Sequence, residues 1–365
     1  MIVESLLNEI ELGRQGKSQG YSMGLPKLEE IIDGVTRGTY TLLFAGSGVG
    51  KSSISMYAFL YRPLMEHLDD DNFKITMFAL EMKSEIVMAK LLSTYIFETF
   101  GERLSFKKLL SRKRNYKLSD EHLELVKQCI PWMQKVESKL TIYDKNLNAD
   151  SMYAILLTEL ESRGSFEDLG NRKIYHPNNP DLIHVVMVDH AGLMLPTKGR
   201  TLKQEIDLAS HYLVNLRNRC GISPLMIMQS NRDQASSARR QLGYFLPQTS
   251  DVKETNGPVE DAEIILAVYN PSIDKKNSHN GYDLHTIGSY FRSIVCLKNR
   301  YGESNVEDCC IFYGDINIWK ELPRSDEIYD YEKYTNPNWL LNKENKDEIK
   351  EEKEDQSVSN FNFTL

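Results

Sequence analysis

The residues with the clearest chemical meaning are the run Ala45-Gly46-Ser47-Gly48-Val49-Gly50-Lys51-Ser52. Glycines at alternate positions let a backbone wrap around a polyphosphate, so that several amide N–H groups point inward at the positive end of a following helix. Lys51 would reach the β- and γ-phosphates, and Ser52 would hold a magnesium ion. Ala45 stands where the usual pattern opens on glycine, a tolerable change because that position asks for a small residue more than for a positive φ. A glycine-rich turn arising by chance would not supply Gly-Lys-Ser at this offset, between the strand-like Tyr40–Phe44 and the helix-like Ser53–Ala58. Residues 45–52 are therefore expected to bind ATP, with Mg2+ as the accompanying ion.

Phosphoryl transfer to water needs more: a second magnesium anchor, a group that orients the attacking water, and positive charge for the transition state. Asp189 ends the apolar run Leu182–Val188 and fits an acidic site that holds magnesium through its water shell; the plainer alternative is a strand-terminal cap. Glu81 follows the run Phe73–Ala79, a strand expected to lie beside the phosphate-loop strand. There a carboxylate needs only hydrogen-bond reach to poise a water, although a glutamate at a strand end is more often just solvated. Gln229 ends the next strand, where its amide could sense the terminal phosphate and pass its presence to the loop that follows. Lys298 and Arg300, two residues apart at a late strand end, point the same way. They suit a γ-phosphate presented by a neighbouring subunit, a contact that can be worth on the order of a thousandfold in rate; otherwise they are a basic edge that protects a strand.

Positioning these groups takes an alternation of strands and helices. Strand-like runs are read at 38–45, 73–79, 141–143, 182–189, 225–229, 264–269 and 293–297, with a closing hairpin over 309–319. Helical spacing is read at 25–32, 51–67, 84–100, 149–162 and 203–218, with two further helices across 104–140, basic in their middle at Lys107, Lys108, Arg112, Lys113 and Arg114. Gly164–Pro180 and Ser230–Gly257 read as polar loops. Near-continuous apolar strands suit a parallel sheet buried on both faces, so the fold class is α/β, with a mostly parallel central sheet flanked by helices in a single large domain over 21–325. Residues 1–20 hold a short helix, apolar at Ile2, Val3, Leu6, Leu7 and Ile10, that is too small to stand alone and must dock on its own domain or on a neighbour. Residues 326–365 read as an acidic, disordered tail; its aromatic end (Phe361, Phe363) leaves a partner-binding peptide as the alternative.

Composition sets outer bounds. The chain has 365 residues, 41% hydrophobic and 26% charged, with no apolar run long enough to span a bilayer. Met1–Leu12 carries three glutamates and no basic residue, unlike a signal peptide, so a cytoplasmic location is expected. The five cysteines form no Cys-x-x-Cys pair and read as buried thiols. A net charge of −8 argues against a nucleic-acid partner, but Lys343–Asp355 alone contributes seven acids against four bases. Charge leaves that question open.

Several stretches together resemble the hexameric replicative DNA helicases of the DnaB type, within the RecA-like ATPases. They are Met23–Leu28, the loop 45–52, Phe78-Ala79-Leu80-Glu81-Met82-Lys83, Val188-Asp189-His190, Met228-Gln229-Ser230-Asn231-Arg232, Asp251–Thr255 through Asp261-Ala262-Glu263, and Lys298-Asn299-Arg300. They occur in the family's order across residues 5–320. The resemblance implies a RecA-like P-loop fold, Glu81 as general base, Gln229 as γ-phosphate sensor, and Lys298 with Arg300 acting in trans. It also implies a hexameric ring that unwinds DNA by moving along a single strand. The loop 251–257 would line the channel and bring Lys253, Glu254, Thr255 and Asn256 to the strand, with a primase or a loader as further candidate partners. The chain departs from the family pattern at His190, at Asn256 and at Pro258-Val259. The family's helical N-terminal domain is not among these residues, so the resemblance is to a motor reduced to its ATPase domain and linker helix, a form expected of a phage and its bacterial host cytoplasm. The alternative is a nucleotide-switched filament of recombinase type; Lys298–Gly302 also resembles RadA-type proteins, whose zinc module is not found here.

Overall fold

The apolar runs become the strands of one large sheet. In the computed structural model, which describes residues 2–16, 18–112, 114–170, 173–231, 239 and 245–341, the strands are β1 (Thr41–Ala45), β2 (Phe73–Ala79), β3 (Leu140–Tyr143), β4 (Gly164–Asp168), β5 (Lys173–Pro177), β6 (Ile183–Asp189), β7 (Ser223–Gln229), β8 (Ile264–Tyr269), β9 (Ser278–His279), β10 (Tyr282–Asp283), β11 (Phe291–Asn299), β12 (Val306–Tyr313) and β13 (Ile318–Glu321). The main sheet has the order β13-β12-β11-β8-β1-β7-β6-β2-β3. From β8 to β3 all pairings are parallel; β11, β12 and β13 are antiparallel additions at one edge. The helices are α1 (Ile2–Arg14), α2 (Pro26–Ile32), α3 (Lys51–Met56), α4 (Arg62–Glu66), α5 (Ser84–Phe100), α6 (Phe106–Leu109), α7 (Asp120–Gln128), α8 (Ile130–Lys139), α9 (Ala149–Glu161) and α10 (Leu202–Cys220), followed by shorter turns.

Every residue of β1, β6 and β8 is buried, because the sheet is covered on both faces. Alternation along β1 divides its side chains between two cores. Leu43 and Ala45 join the core beneath α2, α3, α5 and α8, while Leu42 and Phe44 join the one beneath α9 and α10. Each such large apolar side chain contributes roughly 1.5–3 kcal/mol on burial.

The strand order corrects one expectation. β2, which leads to Glu81, does not flank β1; β7 and β6 lie between them. Adjacency in a parallel sheet is set by crossover connections, which no local pattern records. The helix expected over 51–67 is interrupted by a π-helical turn, Tyr57–Tyr61, before α4. Pro63 cannot donate to the carbonyl four residues back, and the wider turn accommodates that loss. The segment 104–140 folds as three helices. The supposed polar loop 164–180 contains the hairpin β4–β5, paired from Gly164↔Pro177 to Asp168↔Lys173, and the Tyr175 hydroxyl donates to the Leu160 carbonyl at 3.0 Å.

Residues 326–341, expected within a solvated tail, lie on the domain. Tyr334 is buried, the Tyr313 hydroxyl donates to its carbonyl at 2.8 Å, and Trp339 Nε1 donates to the Tyr313 oxygen at 2.6 Å. Aromatic anchors there outweigh the acidic composition; the rest of that span, 342–365, lies outside the described residues. At the other end, Tyr21 and Val35 exchange backbone hydrogen bonds where the chain joins the domain. Before that point α1 stands apart: Val3, Leu6, Leu7 and Ile10 are 51% to 67% exposed. Among the described residues no helix is long and apolar enough to cross a membrane.

Candidate active site

The groups singled out for chemistry leave the same edge of the sheet. Ala45 at the end of β1 is level with Gln229 at the end of β7, and Asp189 at the end of β6 is level with Ala79 of β2, two residues before Glu81. Ser52 Oγ donates to Asp189 Oδ1 at 3.1 Å, Lys51 Nζ lies 3.9 Å from Glu81 Oε2, and His190 Nε2 lies 3.9 Å from the same oxygen. The backbone N–H of Leu80 donates to the Asp189 carbonyl at 2.7 Å, and that of Ser230 to the Ala45 carbonyl at 3.0 Å. Glu81 thus reaches Lys51 although two strands separate their own strands.

Asp189 is 1% exposed, and burial pushes its carboxyl up to about 6, against the opposing pull of the Ser52 hydrogen bond and the Lys51 charge. Its Oδ2 is buried with no hydrogen-bond partner among the described residues. A hydroxyl and a carboxylate with a spare oxygen are the hard donors magnesium takes, with water and phosphate completing its shell. The chemistry of this pair therefore fits the ion. Burial, with the Lys51 charge beside it, holds His190 below its ordinary range. Lys90 of α5 is a neighbour that sequence reading missed: burial lowers its ammonium, while the charges of Asp189 and Glu81 oppose the shift.

The loop itself is shaped by glycine where it must be. Gly48 and Gly50 have φ of 74° and 125°, and Ala45 is not among the positive-φ residues, in keeping with the alanine there. A Cβ on Gly50 would sit 3.0 Å from Trp319 Cζ2. Behind the loop, Arg292 Nε donates to the Val49 carbonyl at 2.7 Å. Its Nη1 donates to the carbonyls of Ser289 (3.2 Å) and Phe291 (2.6 Å). The guanidinium lies 5.3 Å from the Phe312 ring centroid, and Phe312 stacks on Trp319 at 4.4 Å. Burial lowers Arg292 to about 10, which still leaves it a cation at neutral pH. This backing was not anticipated from sequence; the one available signal was a lone arginine entering an apolar strand.

Gln229 is joined to the loop that follows. Its carbonyl accepts from the Lys253 N–H at 2.9 Å, and Asn231 N–H donates to the Asp251 carbonyl at 2.7 Å. The four residues expected at DNA divide. Lys253, Glu254 and Asn256 are exposed, with Lys253 Nζ 3.0 Å from Glu254 Oε1. Thr255 instead is buried and its hydroxyl donates to Asp207 of α10, so it anchors the loop. The stretch 232–238 and 240–244 lies outside the described residues.

Lys298 and Arg300 are not brought to this edge. Asn299 is level with Ile264, and Ile264 with Thr41, the start of β1. At about 3.3 Å per residue, the length of β1 alone puts roughly 13 Å between that level and Ala45. Lys298 Nζ donates to the carbonyls of Val259 (3.1 Å) and Glu260 (3.2 Å). Arg300, about half exposed, has Nη1 3.4 Å from Glu263 Oε1.

Residues 20–314 match the family model described as the DnaB-like helicase C-terminal domain. The chain belongs to this family. The DnaB-like assignment agrees with two curated relatives named replicative DNA helicase DnaB. The one from Helicobacter pylori is 25% identical over 272 residues, 73% of this chain and 48% of the relative. The one from Buchnera aphidicola is 25% identical over 292 residues, 78% and 52%. The chain thus spans about half the length of the curated relatives it matches. Among solved structures, an isolated ATPase domain superposes with a TM-score of 0.65 at 18% identity, covering 88% of this chain and 99% of that one. A DnaB-like replicative helicase described with its primase interactions gives 0.64 at 17%, covering 88% and 69%. Fold and family agree on a RecA-like α/β ATPase domain. Trp319, which backs Gly50, lies beyond the DnaB-like match, so part of this chain's loop support comes from outside the matched span.

Proposed function

We propose that this DnaB-like domain is an ATP-driven motor that assembles as a hexameric ring, moves along single-stranded DNA and separates the duplex ahead of it. The observation that carries this reading is the separation of Lys298 and Arg300 from their own phosphate loop: among the described residues these two cations stand away from the cradle of their own copy, and a second copy can supply them. In this reading Lys51 neutralises the β- and γ-phosphates, Ser52 and Asp189 hold magnesium, and Glu81 orients the attacking water beside Lys51. The ion, when bound, would offset charge on the phosphate oxygens. Arg300 and Lys298 of the neighbour stabilise the charge on the transferring group. Gln229 registers the terminal phosphate and, through the hydrogen bond from Lys253 to its carbonyl, shifts the DNA-facing loop. Lys253, Glu254 and Asn256 grip the strand backbone without reading sequence, with Thr255 holding the loop in place, and a motor needs no more than that. A primase or a loader is the further partner proposed for such a ring.

The exposed face of α1 supports assembly. A groove of about 620 Å³, lined by Met88, Leu92, Leu109, Leu118, Leu123 and Leu140 among others, is apolar like the face of α1. The polar residues of its lining are Ser84, Glu85 and Glu137, so the match to α1 is apolar and not one of charge. Docking of α1 into this groove on the next copy satisfies both surfaces. The double variant Leu6→Asp with Ile10→Asp is expected to shift the chain to monomers in sedimentation velocity while each chain still binds nucleotide; unchanged assembly would count against α1 as the link.

The function is tested with a forked duplex carrying a single-stranded tail. ATP-dependent release of the annealed strand, stimulated by the tail, is expected. ATP-dependent coating without strand release would replace the motor with a recombinase-type filament. Turnover indifferent to single strands would remove DNA from the reading.

A further inference from the structure

β11 touches both candidate halves of the shared site. At its start, Arg292 holds the Val49 carbonyl of its own phosphate loop; at and just past its end stand Lys298 and Arg300, the cations lent to the neighbour. The strand is paired on both sides, to β8 and to β12. Arg300 follows Arg292 by about eight residues, roughly 26 Å of extended chain. A register shift between Cys296 and Lys298 marks a bulge that re-aims the end of the strand.

A second rod closes the circuit. Arg300 N–H donates to the Glu263 carbonyl at 3.0 Å, and Glu263 Oε1 faces the Arg300 guanidinium. The other carboxylate oxygen of Glu263 accepts from the Tyr40 N–H at 2.8 Å, and the Glu263 N–H donates to the Tyr40 carbonyl at 2.9 Å. Tyr40 leads into β1, whose far end is the phosphate loop. Loop, β1, Glu263, Arg300, β11 and Arg292 thus form one closed frame, joined through backbone hydrogen bonds at Glu263 and through the Arg292 side chain at the loop. Close-packed interiors of this kind transmit displacement because they cannot absorb it.

We infer that β11 is a rigid link by which the nucleotide state of a subunit's own phosphate loop sets the position of the Lys298 and Arg300 that it lends to the next subunit, with Arg292 as the positioning residue at the loop end. The inference rests on the shared-site reading above. A phosphate drawing the loop's N–H groups inward displaces the Val49 carbonyl. Arg292 has no slack to take up that movement, because its guanidinium is also held by the carbonyls of Ser289 and Phe291 and by the face of Phe312. The strand therefore moves as a unit, and with it the far-end cations.

Mixed assemblies test this. Glu81→Ala protein mixed with Arg300→Ala protein places an intact Glu81 and an intact Arg300 together at some interfaces, and ATP turnover is expected to rise above the sum of the parents. Arg292→Gln mixed with Arg300→Ala is expected to recover roughly 2- to 30-fold less, the range typical of a coupling residue, because the Arg292→Gln subunit presents its own Arg300 out of place to an intact loop. Recovery equal to the Glu81→Ala control overturns the link and leaves Arg292 a local support of its own loop. No recovery in the control overturns the shared site, and the link with it. Should Arg292→Gln fail to assemble by sedimentation, Arg292→Lys, which keeps a donor and the charge but not the planar fork, is mixed in the same way and read by the same outcomes.

Discussion

Lys51→Ala is expected to lower ATP turnover by roughly a hundredfold to a thousandfold, the scale of removing one preorganised transition-state contact, and to abolish strand release on the fork. The ammonium is nearly buried at the start of α3 and lies 3.9 Å from Glu81. Without it, the triphosphate loses the loop's own cation beside Glu81 and Asp189. The fold should survive, because the loop backbone is held from behind by Arg292 at Val49 and by the packing of Trp319 against Gly50. Steady-state hydrolysis beside a far-ultraviolet dichroism spectrum separates the two effects. Turnover within about tenfold of the parent, below the cost expected of a lost transition-state contact, would remove Lys51 from the reaction.

Arg300→Ala is expected to leave nucleotide affinity nearly unchanged while cutting turnover by about a thousandfold, the lower end of the range for a trans-acting arginine. The split follows from geometry: the side chain rests on Glu263 at the far end of the sheet from its own loop, so binding by one chain does not involve it. The same argument predicts that turnover per chain falls on dilution, as assembly is lost by mass action, whereas a self-sufficient site would be indifferent to concentration. Fluorescent-nucleotide titration with hydrolysis measured across a dilution series distinguishes them. A large loss of affinity in Arg300→Ala, or full turnover in a confirmed monomer, would overturn the shared site.

Much of the site was legible in the chain because its signals are local. A phosphate loop must be written as consecutive residues between a strand and a helix, and parallel strands buried on both faces must be near-continuous apolar runs. Functional residues of such sheets gather where the strands end, so Glu81, Asp189 and Gln229 could be put forward as candidates by position along the chain. The hairpin β4–β5 was not legible: its strands are short and largely polar, and backbone pairing together with packing of Phe166 and Tyr175 against one another and the helices beneath makes them a unit. Nor was the folded segment 326–341, where a few aromatic contacts outweigh many charges.

By itself the sequence determined the fold class, the cradle, and which carboxylates and amide stand at strand ends, since each depends on neighbours in the chain. Tertiary structure alone decided that β7 and β6 separate β1 from β2, that Thr255 turns inward to Asp207, that Arg292 grips the loop, and that Lys298 and Arg300 leave by the opposite edge. These are relations between segments tens to hundreds of residues apart, set by crossover connections and by the registers of β8 and β11, and nothing in local composition encodes them.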